Sequence, residues 1–381
     1  MTFPSSPLTP FDSAPLTPPA LLEGSAGQLA QWQHRGAILT FQRWLLIIGG
    51  LAVTSLAVCM LCLQFGPTRI GVATIASALK QLLAGAELNA GGLDTSAVIM
   101  VHIRLPRILV GFFVGVGLAS VGVTLQALLR NPLADPYVLG VSSGAALGAA
   151  LAMLLGIGTT VALLPALPLF GFVGGLLSLV VIYQLSQSQG RLPIQSLLLA
   201  GVILNAILTA FIMFITSIME PNRSAGLMAW LMGSLTAPGY AALAVFGIYT
   251  VGGVAILLQK AQTLNALTLG EEMARSLGIE TERVKKQLFG LTALLTGAVV
   301  SVSGMIGFVG MVVPHAVRML VGSDHRLLLP ASALVGGMFL VLSDTIARTI
   351  LAPAEIPVGI VTALAGGPLF LYLLLWRKDR M

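Results

Sequence analysis

The sequence predicts an all-α integral membrane protein with about ten transmembrane helices of roughly 20 residues each. Hydrophobic residues make up 56% of the 381 positions and charged residues only 9%, too little polar surface to cover a soluble domain of this length. The apolar residues run in long unbroken stretches of Leu, Ala, Gly and Val, whereas a transmembrane barrel would alternate apolar and polar residues over about ten positions. Two polar islands, Arg104-Leu-Pro-Arg107 and Arg130-Asn-Pro-Leu-Ala-Asp-Pro136, bracket one such stretch and so label the two membrane faces. The net charge of +6 comes from basic residues spread between the stretches. That spacing reads as membrane topology and excludes the clustered basic face of a nucleic-acid binder.

Residues 1–36 hold six prolines before position 20 and no apolar core with a cleavage site, so they are expected to form a disordered cytoplasmic tail and not a signal peptide. Ten spans are then predicted, at 41–65, 104–129, 137–157, 161–185, 194–219, 240–259, 284–305, 308–321, 327–351 and 356–376. A weakly amphipathic piece, Val72–Leu83, is expected on the membrane surface after the first span. Glu220 to Arg223 breaks the apolar pattern, and 227–235 is too short to cross, so it reads as a half-helix re-entering the protein interior. The eighth span is short and is expected to break at Pro314.

Fourteen of the 20 lysines and arginines fall with the tail, the C-terminus and the loops after even-numbered spans. The other side holds Arg69, Lys80, Arg104, Arg107, Arg223 and Arg348. The bias places both termini in the cytoplasm. A faint internal similarity links the Gly117 to Gly122 run, which leads to Asn131-Pro132, with the Gly297 to Gly304 run, which leads to Val313-Pro314. The two copies run in opposite directions in this topology, as in the inverted repeats of transporters.

The most charged connection, 264–286, reads as two short cytoplasmic helices. Leu269, Met273, Leu277 and Ile279 form an apolar stripe there, with Gly278 as a helix stop, and an exposed stripe needs a covering partner. Asp344 and Arg348 lie one helical turn apart and are expected to pair, anchoring the end of their span. Cys59 and Cys62 sit inside an apolar run and read as packing residues. Gly140-Val-Ser142-Ser-Gly144 matches a nucleophile-elbow pattern, but in a glycine-rich membrane helix and not after a strand. No metal-ligand spacing and no phosphate-binding loop occurs, so the chain itself is expected to be neither a metal site nor an ATPase.

Six segments together resemble the permease subunits of ABC importers for ferric siderophores, haem and cobalamin. They are Arg104-Leu-Pro-Arg107, Gln126-Ala-Leu-Leu-Arg-Asn-Pro-Leu-Ala-Asp-Pro136, Leu139-Gly-Val-Ser-Ser-Gly144, Ile306-Gly-Phe-Val-Gly-Met-Val-Val-Pro-His315, Asp324-His-Arg-Leu-Leu-Leu-Pro330 and Glu355-Ile-Pro-Val-Gly359. The likeness runs from Phe41 to Trp376, so 37–381 is taken as one permease domain. It implies import of a ferric siderophore, with haem or cobalamin as alternatives, from periplasm to cytoplasm across the inner membrane. It further implies a second permease subunit, two ABC ATPase subunits that consume the ATP, and a periplasmic or lipid-anchored substrate-binding protein, with no cofactor on this chain.

Residue by residue, the resemblance implies that Arg104, Arg107 and Arg348 face outward to dock the binding protein. Leu269, Gly270, Glu271, Met273, Ala274, Arg275, Leu277 and Gly278 would couple to the ATPase. Asn131, Pro132 and Leu133 with Pro193, Ile194 and Gln195 would form the cytoplasmic gate, where relatives often carry small hydroxyl residues in place of the last three. An ion-gradient-driven secondary transporter is the alternative reading, which would need intramembrane ionisable residues beyond Asp344 and would leave the coupling-like segment without a purpose.

Overall fold

A computed structural model of the chain describes residues 39–68, 70–83, 95–157, 160–161, 164–188, 190–236 and 239–378. The predicted N-terminal tail lies outside them. The chain divides into two units, Met1–Leu45, which among the described residues holds only the start of the first helix, and Leu46–Met381, which holds everything that follows.

Among the described residues seven helices are long and apolar enough to cross a membrane: α1 (Phe41–Gln64), α3 (Thr95–Leu128), α5 (Ala166–Ser186), α6 (Ile194–Ile218), α8 (Tyr240–Gln259), α11 (Thr281–Ser303) and α13 (His325–Thr349). Three further helices have shorter apolar stretches: α4 (Val141–Leu154), α12 (Val309–Val321) and α14 (Val358–Lys378), the last apolar over Val358–Tyr372. The rest are α2 (Val72–Leu83), α7 (Pro221–Leu231), α9 (Ala261–Thr268) and α10 (Glu271–Ser276), with a two-residue hairpin pairing Thr160–Val161 and Leu164–Pro165 between α4 and α5.

Glycine and alanine decide which helix sits in the middle. The apolar window of α3 is 83% buried, against 11% for α1 and 17% for α6, whose leucines, valines and phenylalanines face outward. Such outward apolar surface is what a lipid solvent accepts and water does not. α3 can be central because its small residues let neighbouring backbones touch it. A side chain on Gly122 would run into the carbonyl of Gly310 on α12, and one on Gly115 into Gly336 on α13. Gly117 likewise faces Val299 of α11, whose methyl would lie 2.7 Å from an added Cβ. The two glycine runs noted in the sequence therefore belong to directly packed helices.

Several expected boundaries change, each for a physical reason. The second span begins at Thr95, well before Arg104, because a π-helical turn at Met100–Arg104 carries the helix through His102 and Arg104. Pro314 does not break α12: its missing N–H frees the carbonyl of Gly310, which accepts from Gln126 Nε2 at 3.4 Å, while the same amide donates to Met311 at 3.1 Å. Glu220 to Arg223 starts a helix, with Pro221 in its first turn where no N–H is required. The segment expected as a 227–235 half-helix is thus α7, Pro221–Leu231, with Leu227 and Trp230 buried. Its tail is held by Ser234 N–H donating to Ser303 and Gly233 C=O accepting from Val358.

Replacing Gly122 with Leu should lower the detergent-solubilised unfolding temperature strongly, since overpacking against backbone costs about 1 to 3 kcal/mol or more. Gly49→Ala, on an open face of α1, should be neutral or slightly stabilising in the same assay. Equal melting of the two variants would contradict the central placement of α3.

Candidate functional site

Polar chemistry concentrates at the two ends of the α3 and α13 pair. At 1.5 Å per residue, Arg107 and Leu128 of α3 lie about 32 Å apart, close to the thickness of a bilayer's hydrocarbon core.

At the first end, Asp344 of α13 sits between two guanidiniums. Arg107 of α3 meets it as a fork, with Nη2 at 2.9 Å and Nε at 3.1 Å from Oδ1, and Arg348 Nε lies 3.2 Å from Oδ2. The expected turn-spaced pair is therefore present, and Arg107 adds a partner that lies 237 residues away in sequence. Arg107 Nη1 also donates to Glu355 Oε2 at 2.9 Å, so two cations face two carboxylates. Arg104 does something different: its Nη1 donates to the carbonyls of Leu63 and Gln64 at 2.9 and 3.3 Å, and its Nη2 to Thr68. A cation at the last carbonyls of α1 satisfies orphan acceptors and complements the helix dipole.

Exposure separates the three predicted docking arginines. Arg104 and Arg348 are 2% and 3% exposed and engaged inside the chain, in place of the outward-facing arrangement that the resemblance implies. Arg107 retains 14% side-chain exposure and reaches the surface beside Glu355, which is 46% exposed.

At the opposite end, α9 and α10 form the predicted pair of short helices. Leu269, Met273 and Leu277 are 69%, 53% and 62% exposed, so these three positions of the apolar stripe are uncovered, while Ile279 packs half-buried against the core and Ala274 on the other face is fully buried. Gly270 and Gly278 bracket α10 with φ of +116° and +81°, conformations that side chains resist. Glu271 and Arg275 both reach α11: Glu271 pairs with Lys285 at 3.2 Å, and the exposed Arg275 donates from Nε to Thr281 Oγ1 at 3.0 Å. α9 is fastened to α13 by Asn265, whose Nδ2 donates to Asp324 Oδ1 and whose Oδ1 accepts the N–H of His325, both at 2.9 Å. The Arg326 fork and the Asn265 amide hold the Asp324 carboxyl down at about 2.

The predicted gate segments share that end. Arg130 adopts a left-handed φ of +49° and turns the chain out of α3. Asn131 Oδ1 accepts from Leu133 N–H at 2.9 Å, which closes the Asn131-Pro132-Leu133 turn on itself. The Arg130 guanidinium would lie 3.8 Å from a Cβ added to Gly270, so this turn neighbours the start of α10. Pro193 caps α6, with Ile194 and Gln195 as its first residues. The 3-10 turn Pro136–Leu139, which follows the first segment, packs on α6 and links the two indirectly. Sequence reasoning did not assign Lys285, Glu282 or Asn265; the 282/285 turn spacing was a visible signal, but their partner Leu192 was not. Ser142 lies in the first turn of α4, buried, with no strand leading into it, so the elbow geometry is not formed.

These features define a polytopic membrane transport subunit, and the comparisons give its family. The FecCD transport family matches residues 51–376, and the chain belongs to that family. It is 44% identical over 298 residues to the cobalamin import system permease protein of Halobacterium salinarum, covering 77% of this chain and 78% of that one. It is 42% identical to the hemin transport system permease protein of Yersinia pestis, over 74% of this chain and 84% of the relative. A solved metal-chelate type ABC transporter in an inward-facing conformation superposes with a TM-score of 0.73 at 31% identity, covering 87% of this chain and 99% of that one. The chain is therefore an ABC importer permease and a multi-pass protein of the cell's inner (plasma) membrane.

Replacing Asp344 with Ala should destabilise the solubilised protein by about 3 to 5 kcal/mol, because it strips the buried Arg348 of its carboxylate and leaves Arg107 with Glu355 alone, whereas Glu355→Ala at the surface should cost under about 1 kcal/mol. Thermal melts of both variants check the contrast. Burial raises the Asp135 carboxyl to about 6 despite the Tyr137 N–H at 2.9 Å. The folded protein therefore holds that proton where the unfolded chain has released it, and stability should fall as pH rises from about 4 to about 6, by at most ~3 kcal/mol. Asp135→Asn should flatten that part of the melting-temperature profile.

Proposed function

We propose that this chain is the membrane half of an ATP-driven importer that moves a ferric siderophore from periplasm to cytoplasm, with haem and cobalamin as the competing cargoes. The observation that carries the ATP-driven reading is the uncovered stripe Leu269, Met273 and Leu277 on two short helices otherwise locked to the bundle. A surface of this type, held rigid at its back and apolar at its front, is built for a partner, and an ABC ATPase is the partner that family membership calls for. The cargo reading rests on the relatives, a cobalamin import permease, a hemin transport permease and a metal-chelate type transporter.

In this reading α3 and α13 cross with Arg107 and Arg348 outside and Gln126 and His325 inside, and all ten apolar helices lie in the membrane in two inverted halves with both termini cytoplasmic. A second permease subunit completes the path. Two ATPase subunits sit under α9 and α10, and the binding protein docks at the outer end through carboxylates. Arg107 is its first contact, since it alone of the three arginines reaches the surface; Arg104 and Arg348 stand behind it and hold α1 and α13 in place. Complementary charges there set encounter rate and register more than affinity. ATP binding then shifts a two-state equilibrium that the turn Asn131 to Leu133 and the start of α6, Pro193 to Gln195, gate on the cytoplasmic side. Asp344 is enclosed between Arg107 and Arg348 in a charge-balanced cluster with Glu355, a closed structural arrangement that argues against its serving as a mobile proton carrier.

The test is co-purification from native membranes. Replacing Leu269, Met273 and Leu277 together with Gln should reduce ATPase recovery at least tenfold while leaving the permease intact, and undiminished recovery would remove these helices from the interface. In a parallel binding assay Arg107→Glu should slow association with the binding protein at low salt, and an unchanged rate would move docking elsewhere.

A further inference from the structure

The ammonium of Lys285 lies at the junction of three segments that the proposed mechanism must connect. Lys285 stands one turn into α11, and its side chain is only 4% exposed. Its donors reach Leu192 C=O at 3.1 Å, the Glu271 carboxylate at 3.2 Å and Glu282 Oε1 at 2.7 Å. Glu282, one turn away on the same helix, accepts the N–H of Leu192 at 2.8 Å with its other oxygen. Both backbone groups of Leu192 are thus held by side chains of α11, and the residue itself is 2% exposed. The next residue, Pro193, is the cap from which α6 starts.

Glu271 opens α10, so the same ammonium that straps the entrance of α6 also holds the front of that helix. Arg275, one turn further along α10, reinforces the junction from the other side through Thr281 and through Glu282 at 3.7 Å. A buried ammonium with all its donors engaged has no water to replace a lost partner, so the three segments move together or the junction breaks. A flexible linker between α10 and α6 would absorb a displacement, and this strap instead passes it on.

We infer that Lys285 is the positioning residue that transmits displacement of α10 to the start of α6 by way of Leu192. This rests on the importer reading above and names the contact through which ATPase motion reaches the gate. The consequence is specific: without the ammonium, the ATPase can still bind and turn over, but the 193–195 segment no longer follows it.

The assay reads that motion without needing the cargo. A cysteine placed at Gln195, which is exposed, in a Cys59→Ala/Cys62→Ala background of the assembled complex is labelled with a water-soluble maleimide, with and without ATP and vanadate. With Lys285 present, trapping should change the labelling rate at least about fivefold. In Lys285→Met the change should shrink to under about twofold while ATP hydrolysis stays within about twofold of the parent, and Lys285→Arg should keep most of the response. A full labelling response in Lys285→Met overturns the inference, as does a parallel loss of hydrolysis and response in the Arg variant. If Lys285→Met does not assemble, Glu282→Gln, which leaves Lys285 and Glu271 paired but weakens the hold on Leu192, should reduce the response by about half, and an unchanged response overturns the inference equally. A parent complex that neither traps vanadate nor hydrolyses ATP would instead overturn the importer reading.

Discussion

Backbone contact along α3 is the constraint on which the other features depend. Three helices, α11, α12 and α13, meet α3 at positions where it carries glycine, and at Gly115 and Gly122 the neighbour presents its own glycine backbone. In a lipid solvent apolar side chains gain little by leaving their surroundings for a protein interior, so close backbone approach supplies the packing that the hydrophobic effect supplies in water. Fixing α3 against α13 is what brings Arg107 onto Asp344 at one end. At the other end, where α3 passes into the Arg130 turn, Gln126 takes the carbonyls of α12 and so lets that helix run through Pro314. The ends are chemically specialised because the middle admits no slack.

The two ends then divide the labour. The Asp344 cluster is charge-balanced and mostly closed, with Arg107 and Glu355 its two members that reach the surface. The Lys285 end is stiff behind and apolar in front, which suits a surface that receives force. α13 joins them as one unbroken helix, with Asp324 and Asn265 fastening its start to α9 and Asp344 fastening its last turns to α3. The charged clusters at the two ends are thus joined through one helix packed tightly against α3, a layout in which small shifts become discrete rearrangements and not gradual bending.

Much of this was legible in the sequence. Spans set by long apolar runs with polar borders, such as Ile194–Ile218 and Tyr240–Gln259, fall within a residue of expectation, as does the amphipathic Val72–Leu83. The Asp344 and Arg348 pair was readable because helical spacing alone creates it. What could not be read depends on partners far apart in the chain. Arg104 looked like an exposed face marker because nothing local announces that it caps α1. Pro314 looked like a break because its compensating amide, Gln126, lies on another helix. Lys285 looked like one more cytoplasmic lysine, since its acceptor is a backbone carbonyl 93 residues earlier. Local pattern gives elements; the roles of charged residues at their ends follow from packing that the pattern does not contain.

Uptake into sealed proteoliposomes tests the central claim most directly. The chain would be reconstituted with its co-purifying ATPase and binding protein and offered radiolabelled ferric hydroxamate siderophore, haemin and cobalamin in turn. The account predicts uptake of at least one of these that requires luminal ATP and survives collapse of proton and sodium gradients. Uptake by the chain alone, driven by an ion gradient and indifferent to ATP, would contradict it.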